Sequence, residues 1–200
     1  MKKLEFPINR CTIDVTENCN LRCGYCFTYF NKNFKRKDLP YERGVEIIDW
    51  IFKDEISQSN QIDLNWWGGE PLFKFDTLKR LTDYALEKSI KEGKTLSIGG
   101  TTNTTLMDKD VVDWMKRHNS YFMMSIDGPK EIQDANRPCA VKGCSSWDMI
   151  EKNLPYAMQQ IPFLGSRMSP TPQHIHRMAE TFRMLYERFK ISSQMYSPVN

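Results

Sequence analysis

The feature that most constrains the fold of this 200-residue chain is a strict alternation of β-rich runs with stretches of helical period. Six runs are predicted as strands, at 11–16, 62–67, 95–102, 121–126, 163–168 and 191–199. Five helices are predicted between them, at 40–56, from 75, at 108–117, at 147–158 and from 172. This order predicts an α/β fold with a parallel sheet and right-handed crossovers. The sheet closes either as a doubly wound open sheet or as all or part of a barrel, and in both cases chemistry lies at the carboxyl ends of the strands.

Composition narrows the class of protein further. The chain has a formal net charge of +3, which neither demands nor excludes a nucleic-acid partner, and we predict none. No apolar run approaches the roughly 20 residues of a membrane span, and the start lacks the apolar stretch of a signal peptide. We therefore expect a cytoplasmic protein without a membrane partner. Its six cysteines are then expected to be thiols or metal ligands rather than disulfides.

Three of the cysteines lie together directly after the first predicted strand. Cys19, Cys23 and Cys26 have the spacing C-x3-C-x2-C, and no fourth cysteine follows at local spacing. Iron–sulfur clusters are held by cysteine thiolates, and a four-iron cluster with three of them keeps one iron open to a substrate or cofactor. Two alternatives are buried structural cysteines, which the polar loop composition disfavours, and a zinc site, which needs a fourth ligand from a distance.

The other cysteines carry less information. Cys11 belongs to the first strand and is predicted to be a packed thiol. Cys139 and Cys144 flank a four-residue loop, and without further ligands they make a poor metal site. We predict that they bind no metal.

Beyond the cysteine loop, three further segments follow predicted strands: Gly68-Gly69-Glu70-Pro71, Thr102-Asn103, and Ser125-Ile126-Asp127-Gly128-Pro129. The C-x3-C-x2-C loop with Tyr25 before its last cysteine resembles that of the radical S-adenosylmethionine (radical SAM) superfamily, and these three segments strengthen the resemblance. The segment from Ser125 to Arg137 is similar to the subgroup that modifies peptides and proteins, which includes anaerobic sulfatase-maturating enzymes and SPASM-type peptide maturases.

The resemblance implies a partial (β/α)6 TIM-like barrel of the radical SAM type, with residues 1–200 as one catalytic core domain. It implies that Cys19, Cys23 and Cys26 hold a 4Fe–4S cluster whose open iron chelates S-adenosylmethionine. One-electron cleavage of the sulfonium then yields a 5′-deoxyadenosyl radical that abstracts hydrogen from the substrate. The implied partners are a peptide or protein substrate and a reducing electron donor such as flavodoxin or ferredoxin.

The resemblance also suggests cofactor contacts. Gly68 and Gly69 lack Cβ atoms, so their backbone can approach a ligand closely, and with Glu70 they are placed at the methionine ammonium. Ser125 and Arg137 are placed at the ribose or carboxylate, as hydroxyl and guanidinium donors. Asn103 either contacts the ribose or substrate or caps the following helix. The aromatic pair Tyr25 and Phe27 either packs against the adenine and shields the cluster or belongs to the core.

The chain departs from the family pattern in two places. The segment after the third strand usually reads Thr-Asn-Gly, whereas here it is Thr102-Asn103-Thr104, so we expect its turn to differ. No cysteine-rich extension follows the sixth predicted strand, and no helix covers that strand. We expect either that the natural protein continues beyond Asn200 or that the strand is covered in another way.

The primary hypothesis is hydrogen abstraction from a peptide or protein side chain, leading to oxidation or cross-linking. The alternatives are radical chemistry on a small molecule and a truncated, non-catalytic cluster-binding module.

Overall fold

A computed structural model describes residues 5–26 and 35–199 of the chain. Six strands are described there: β1 Arg10–Thr16, β2 Gln61–Gly68, β3 Thr95–Thr102, β4 Tyr121–Ser125, β5 Ser166–Met168 and β6 Gln194–Tyr196. Six α-helices alternate with them: α1 Tyr41–Ile51, α2 Phe75–Lys91, α3 Lys109–Arg117, α4 Lys130–Asn136, α5 Ser146–Gln160 and α6 Met178–Phe189. Short 3-10 turns at Pro71–Lys74 and Ile175–Arg177 lead into α2 and α6.

The strands form a six-stranded sheet in the order β1-β2-β3-β4-β5-β6. The pairs β1–β2, β2–β3, β4–β5 and β5–β6 are all parallel. Because the carboxyl ends of parallel strands share one edge of a sheet, the segments after β1 and β2 share an edge, and so do the segments after β4, β5 and β6.

Backbone packing divides the chain into two compact units, the first from residues 1–18 and 36–100 and the second from 19–35 and 101–200. In the first unit, β1 and β2 bury Val15, Leu64 and Trp66 against α1 and α2. Gly44 allows α1 to pack closely against α2, because a Cβ at Gly44 would lie only 2.6 Å from the Leu81 side chain of α2.

In the second unit, the apolar sides of β4 and the surrounding helices bury Phe122, Met124, Met115, Leu154 and Leu185. Helix starts follow the local sequence. The Asp108 side chain accepts a hydrogen bond from Val111 N at the start of α3, and the Ser145 hydroxyl accepts one from Asp148 N at the start of α5. Pro155 lies inside α5 without ending it.

The structure corrects some of the predicted boundaries. Strand β5 begins at Ser166 rather than Phe163, because Leu164 N donates to Ile161 O in a turn that follows α5. Helix α4 was missed: two of its buried side chains, Gln133 and Asn136, are polar, so it has no apolar stripe to detect.

The expectation that the cysteines avoid disulfides is wrong for one pair. Cys139 and Cys144 are joined by a disulfide, with Cα atoms 5.8 Å apart. A five-residue separation across a tight loop brings the two sulfur atoms together, and composition does not record such local proximity. Within the described residues, no helix is long and apolar enough to cross a membrane.

Candidate functional site

The cysteine loop belongs to the second unit and is held in place by its backbone. Leu21 pairs antiparallel with Cys139, and three backbone hydrogen bonds in all join the loop to residues 136–140. They run from Arg22 N to Pro138 O at 2.7 Å, from Gly24 N to Asn136 O at 3.0 Å and from Ala140 N to Asn20 O at 2.9 Å. Residues 136–140 therefore form a backbone support for the loop.

The three cysteines of this loop are half-buried, and the Cys19 sulfur accepts hydrogen bonds. Cys19 Sγ accepts from Leu21 N at 3.4 Å and from the Asn103 side-chain amide at 3.6 Å. Burial raises the pKa of the Cys23 thiol to about 12, against a smaller lowering by Arg137. Among the described residues, no three His, Cys, Asp or Glu side chains converge on a single ion. A cubane does not require such convergence, since each thiolate binds a different iron.

Asn103 connects the end of β3 to the cysteine loop. Its Nδ2 donates to Asn20 Oδ1 at 2.8 Å, and its Oδ1 accepts from Thr105 N and from the Thr105 hydroxyl. The Thr105 oxygen also accepts from Asn20 Nδ2 at 2.8 Å. Asn103 therefore caps no helix, because α3 begins six residues later, at Lys109, with its own cap at Asp108.

Thr104 corrects the expectation of an altered turn. Its φ is +73°, the left-handed conformation that a glycine at this position would favour. The turn after β3 therefore has this conformation despite the threonine.

Asp127, two residues past the end of β4, joins several elements. One carboxylate oxygen accepts from the Tyr25 hydroxyl at 2.6 Å, and the other accepts from Arg137 Nη2 at 3.0 Å and from Ser169 N at 2.9 Å. Arg137 Nε lies 3.0 Å from the first oxygen, as an ion pair outside hydrogen-bond geometry. Burial acts to lower the pKa of Arg137, but Asp127, Tyr25 and Cys23 together outweigh it, so the net shift is upward.

The Gly68-Gly69-Glu70 segment belongs to the first unit and packs against residues 16–18. Gly68 has φ +131°, and a Cβ at Gly69 would lie 2.4 Å from Asn18 O. Gly69 N donates to Thr16 O at 2.7 Å, and Glu70 N donates to Asn18 O at 2.9 Å. The glycines are therefore required by the close approach of the chain's own backbone.

The second unit contains a cavity of about 540 Å³ beside the cysteine loop, lined by Gly24, Tyr25, Ala135, Asn136, Thr171, Pro172, Gln173 and Val199. Its volume lies within the usual range of small-molecule pockets. Asn136 is only 6% exposed, and its Nδ2 has no hydrogen-bond partner among the described residues. A buried amide donor without a partner fits a ligand that brings an acceptor.

The structure places most of the predicted site residues but not all of them. Ser125 is the buried last residue of β4, and Phe27 lies outside the described residues. Sequence reasoning gave no role to Asn20 or Asp127. For Asp127 a signal was present, because it stands in the quoted segment after β4.

A comparison with family models matches residues 13–185 of the chain to the radical SAM superfamily. The chain belongs to the radical SAM superfamily. The match extends from β1 into α6 and includes the cysteine loop. The family resemblance predicted from the motifs is confirmed.

Several curated proteins are similar to most of this chain. An uncharacterised protein of Methanocaldococcus jannaschii is 30% identical over 151 residues, covering 76% of this chain and 49% of its own length. A cysteine-type anaerobic sulfatase-maturating enzyme of Clostridium perfringens is 27% identical, over 73% of this chain and 39% of its own. An Fe-coproporphyrin III synthase of Methanosarcina barkeri is 29% identical, over 87% of this chain and 40% of its own length. The chain thus spans about half the length of these relatives or less.

Solved structures show the same fold. The structure of anSMEcpe with bound AdoMet matches with a TM-score of 0.82 and 19% identity, covering 96% of this chain and 50% of that one. The same protein with AdoMet and the Cp18Cys peptide matches with a TM-score of 0.78. The predicted α/β fold, a partial (β/α)6 barrel of the radical SAM type, is confirmed. The superfamily uses a 4Fe–4S cluster and S-adenosylmethionine, which confirms the predicted cofactors.

Proposed function

We propose that this chain is the catalytic core of a radical SAM enzyme that abstracts hydrogen from a peptide or protein side chain, leading to oxidation or cross-linking. The observation that carries the proposal is the three-thiol loop, supported by backbone pairing and by an amide donor to sulfur. Hydrogen bonds to cysteine sulfurs and partial burial are the means by which proteins tune iron–sulfur clusters.

In this proposal Cys19, Cys23 and Cys26 hold a 4Fe–4S cluster, which when bound supplies the electron that cleaves S-adenosylmethionine. The chain contributes orientation and exclusion of water. Asn103 donates to the Cys19 sulfur, and Asn20 and Thr105 fix the Asn103 amide in that orientation.

The same proposal assigns S-adenosylmethionine to groups that follow β2 and β4 and to Tyr25 within the cysteine loop. Carbonyls at Gly68 and Gly69, with Glu70, accept from the methionine ammonium, and Ser125 donates to the ribose or carboxylate. Arg137 pairs with Asp127 through Nη2 and Nε, so its Nη1 donors remain for the carboxylate of S-adenosylmethionine. Tyr25 and Asn136 line the cavity that we assign to the adenosyl group.

The choice of a peptide substrate is supported by sequence and by structural similarity. The segment from Ser125 to Arg137 is similar to that of peptide-modifying members, and a structural neighbour binds a peptide together with AdoMet. A second candidate, radical chemistry on a small molecule, is favoured by similarity to the Fe-coproporphyrin III synthase. The proposed electron donor is a flavodoxin or ferredoxin.

Anaerobic reconstitution with iron and sulfide tests the proposal. We expect a brown protein with about four irons per chain, which releases 5′-deoxyadenosine when dithionite and S-adenosylmethionine are added. Deuterium transfer to 5′-deoxyadenosine from a β-deuterated cysteine or serine peptide supports the peptide substrate, whereas release only with an iron tetrapyrrole that is a precursor of Fe-coproporphyrin III supports the alternative. Iron binding without any 5′-deoxyadenosine indicates a non-catalytic module, and zinc in place of iron rejects both enzyme proposals.

Two cysteine variants test the proposed ligand set. Cys23→Ala removes a ligand and should abolish cluster binding. Cys139→Ala opens the disulfide without removing a ligand, so its iron content should equal that of the wild type. Equal loss of iron in both variants would show that the ligand assignment is wrong.

A further inference from the structure

The Asp127 carboxylate joins four segments of the second unit. It contacts Tyr25 in the cysteine loop, Arg137 just after α4 and Ser169 just after β5, and it follows β4 itself. Its own backbone N–H donates to Gln133 Oε1 of α4 at 2.8 Å. Because both carboxylate oxygens and the backbone N–H are engaged, the side chain has one defined orientation.

Burial makes these contacts strong. Asp127 is 2% exposed and Arg137 is 7% exposed, so neither charge is solvated and each depends on the other. Hydrogen bonds to charged groups contribute more than neutral ones, and they do so more strongly where water is excluded. Removing the carboxylate charge leaves Arg137 buried without its counter-ion.

Tyr25 places one end of this network between two proposed cluster ligands. It lies two residues after Cys23 and directly before Cys26, and its hydroxyl bond to Asp127 joins the loop to the end of β4. The Arg137 guanidinium lies 5.3 Å from the centre of the Tyr25 ring, which adds a cation–π contact.

We propose that Asp127 is a positioning residue: it fixes the cysteine loop through the Tyr25 hydroxyl and orients the Arg137 guanidinium toward the anionic part of S-adenosylmethionine. Asp127 itself touches neither cofactor in this proposal. The inference rests on the proposed function, because it assumes a cluster at this loop. A residue that only stabilises the fold would leave the cluster's electronic environment and the cofactor affinity unchanged once the protein is folded.

Asp127→Asn is the main test, since asparagine keeps the shape and removes the charge. Asp134→Asn is the matched control. Asp134 lies in the same unit on α4 and accepts from the Ser145 and Ser146 hydroxyls and Trp147 N, so it anchors α5 rather than the loop. Both variants are reconstituted anaerobically, and their iron content, the electron paramagnetic resonance (EPR) spectrum of the reduced cluster and the dissociation constant of S-adenosylmethionine are measured.

We expect Asp127→Asn to shift the g-values of the reduced cluster and to weaken S-adenosylmethionine binding about tenfold or more, as loss of a charged hydrogen bond does. Asp134→Asn should keep the wild-type spectrum and an affinity within about twofold, since surroundings away from the loop are unchanged. Wild-type spectrum and affinity in Asp127→Asn would overturn the proposal, and so would equal changes in both variants.

Tyr25→Phe keeps the proposal testable if Asp127→Asn fails to fold, because it removes only the hydroxyl. In the cluster-free variant, the backbone amides at 19–26 should exchange hydrogen at least about five times faster than in the wild type, because the hydrogen bond from Tyr25 to Asp127 is lost. Unchanged exchange would overturn the proposal. Because this measurement needs no cluster, a wild type that binds no iron would reject the proposed function while leaving the loop restraint separately tested.

Discussion

Thr104 concentrates backbone strain in one residue beside the site. A β-branched residue in the left-handed region is costly, and its buried hydroxyl has no hydrogen-bond partner among the described residues. The neighbouring Asn103 depends on this turn, since its Oδ1 accepts from Thr105 N immediately beyond. Strain at such a position is consistent with a backbone fixed by the needs of the site.

Thr104→Gly should raise the free energy of unfolding by about 1 kcal/mol, because glycine adopts positive φ without the Cβ clash. Urea denaturation of the cluster-free protein measures the change. Thr104→Ala serves as the control, since it removes the hydroxyl but keeps the Cβ, and it should gain less than glycine. Destabilisation by glycine would show that Thr104 contributes more through packing than it costs through strain.

At the level of single residues, the sequence predicted groups that lie close together along the chain but not contacts between residues far apart in sequence. The three cysteines were identified because their spacing lies within eight residues. Asp127 received no role because its partner Tyr25 is 102 positions away, and no local pattern records such a pair. The Asn103 contact with Cys19, across 84 positions, was hidden for the same reason.

Among the elements, those with a clear apolar pattern were predicted to within a few residues, although α1 ends at Ile51 rather than at 56, and those without such a pattern were not. Strand β3 has the predicted bounds, and α2 and α5 lie where their apolar stripes indicated. Strands β5 and β6 have three residues each, which is too short for an alternation to fix their ends. Helix α4 has seven residues and a polar buried side, so only the tertiary packing reveals it.

One contact between segments predicts a pH dependence. Asp38, before α1, accepts from Lys74 Nζ at 2.6 Å, from the Thr16 hydroxyl at 2.6 Å and from Asn18 Nδ2 at 2.9 Å. The Lys74 and Thr16 hydrogen bonds are the main causes that lower the Asp38 pKa to about 2. This carboxylate therefore holds residues 16–18, on which Gly69 and Glu70 depend.

Because the pKa is lower in the folded state, the stabilisation is present above the unfolded value of about 4 and is lost as pH falls toward 2. Asp38→Asn should cost about 0.5 kcal/mol at pH 6, discounted for a side chain that is partly exposed. The difference from wild type should shrink between about pH 4 and pH 2 in urea titrations. Lys74→Met should reduce this pH dependence, and a difference that stays constant with pH would contradict the assignment.

For the whole molecule, the proposed cluster machinery is concentrated in one of the two compact units. All three cysteines, Asn103, Asp127 and Arg137 belong to the second unit, whereas Gly68, Gly69 and Glu70 belong to the first. The fold class followed from the alternation of elements, but this division did not, because it depends on packing density between elements. A ligand that binds only the folded state stabilises the part of the protein that must be folded for the ligand to bind.

Cluster loading should therefore protect the two units unequally. We expect amide exchange at 19–26 and in the segments around Asn103 and Asp127 to slow about tenfold or more when the cluster is bound, since local opening there then releases ligands. Amides in α1 and β2 should change less than about twofold, because no proposed cluster ligand lies in the first unit. Hydrogen exchange with mass spectrometry under anaerobic conditions makes the comparison, with Cys23→Ala as the control that gains no protection. Equal slowing of exchange in both units would contradict this prediction. It would show that the two units open together, so that cluster binding stabilises the first unit as strongly as the second.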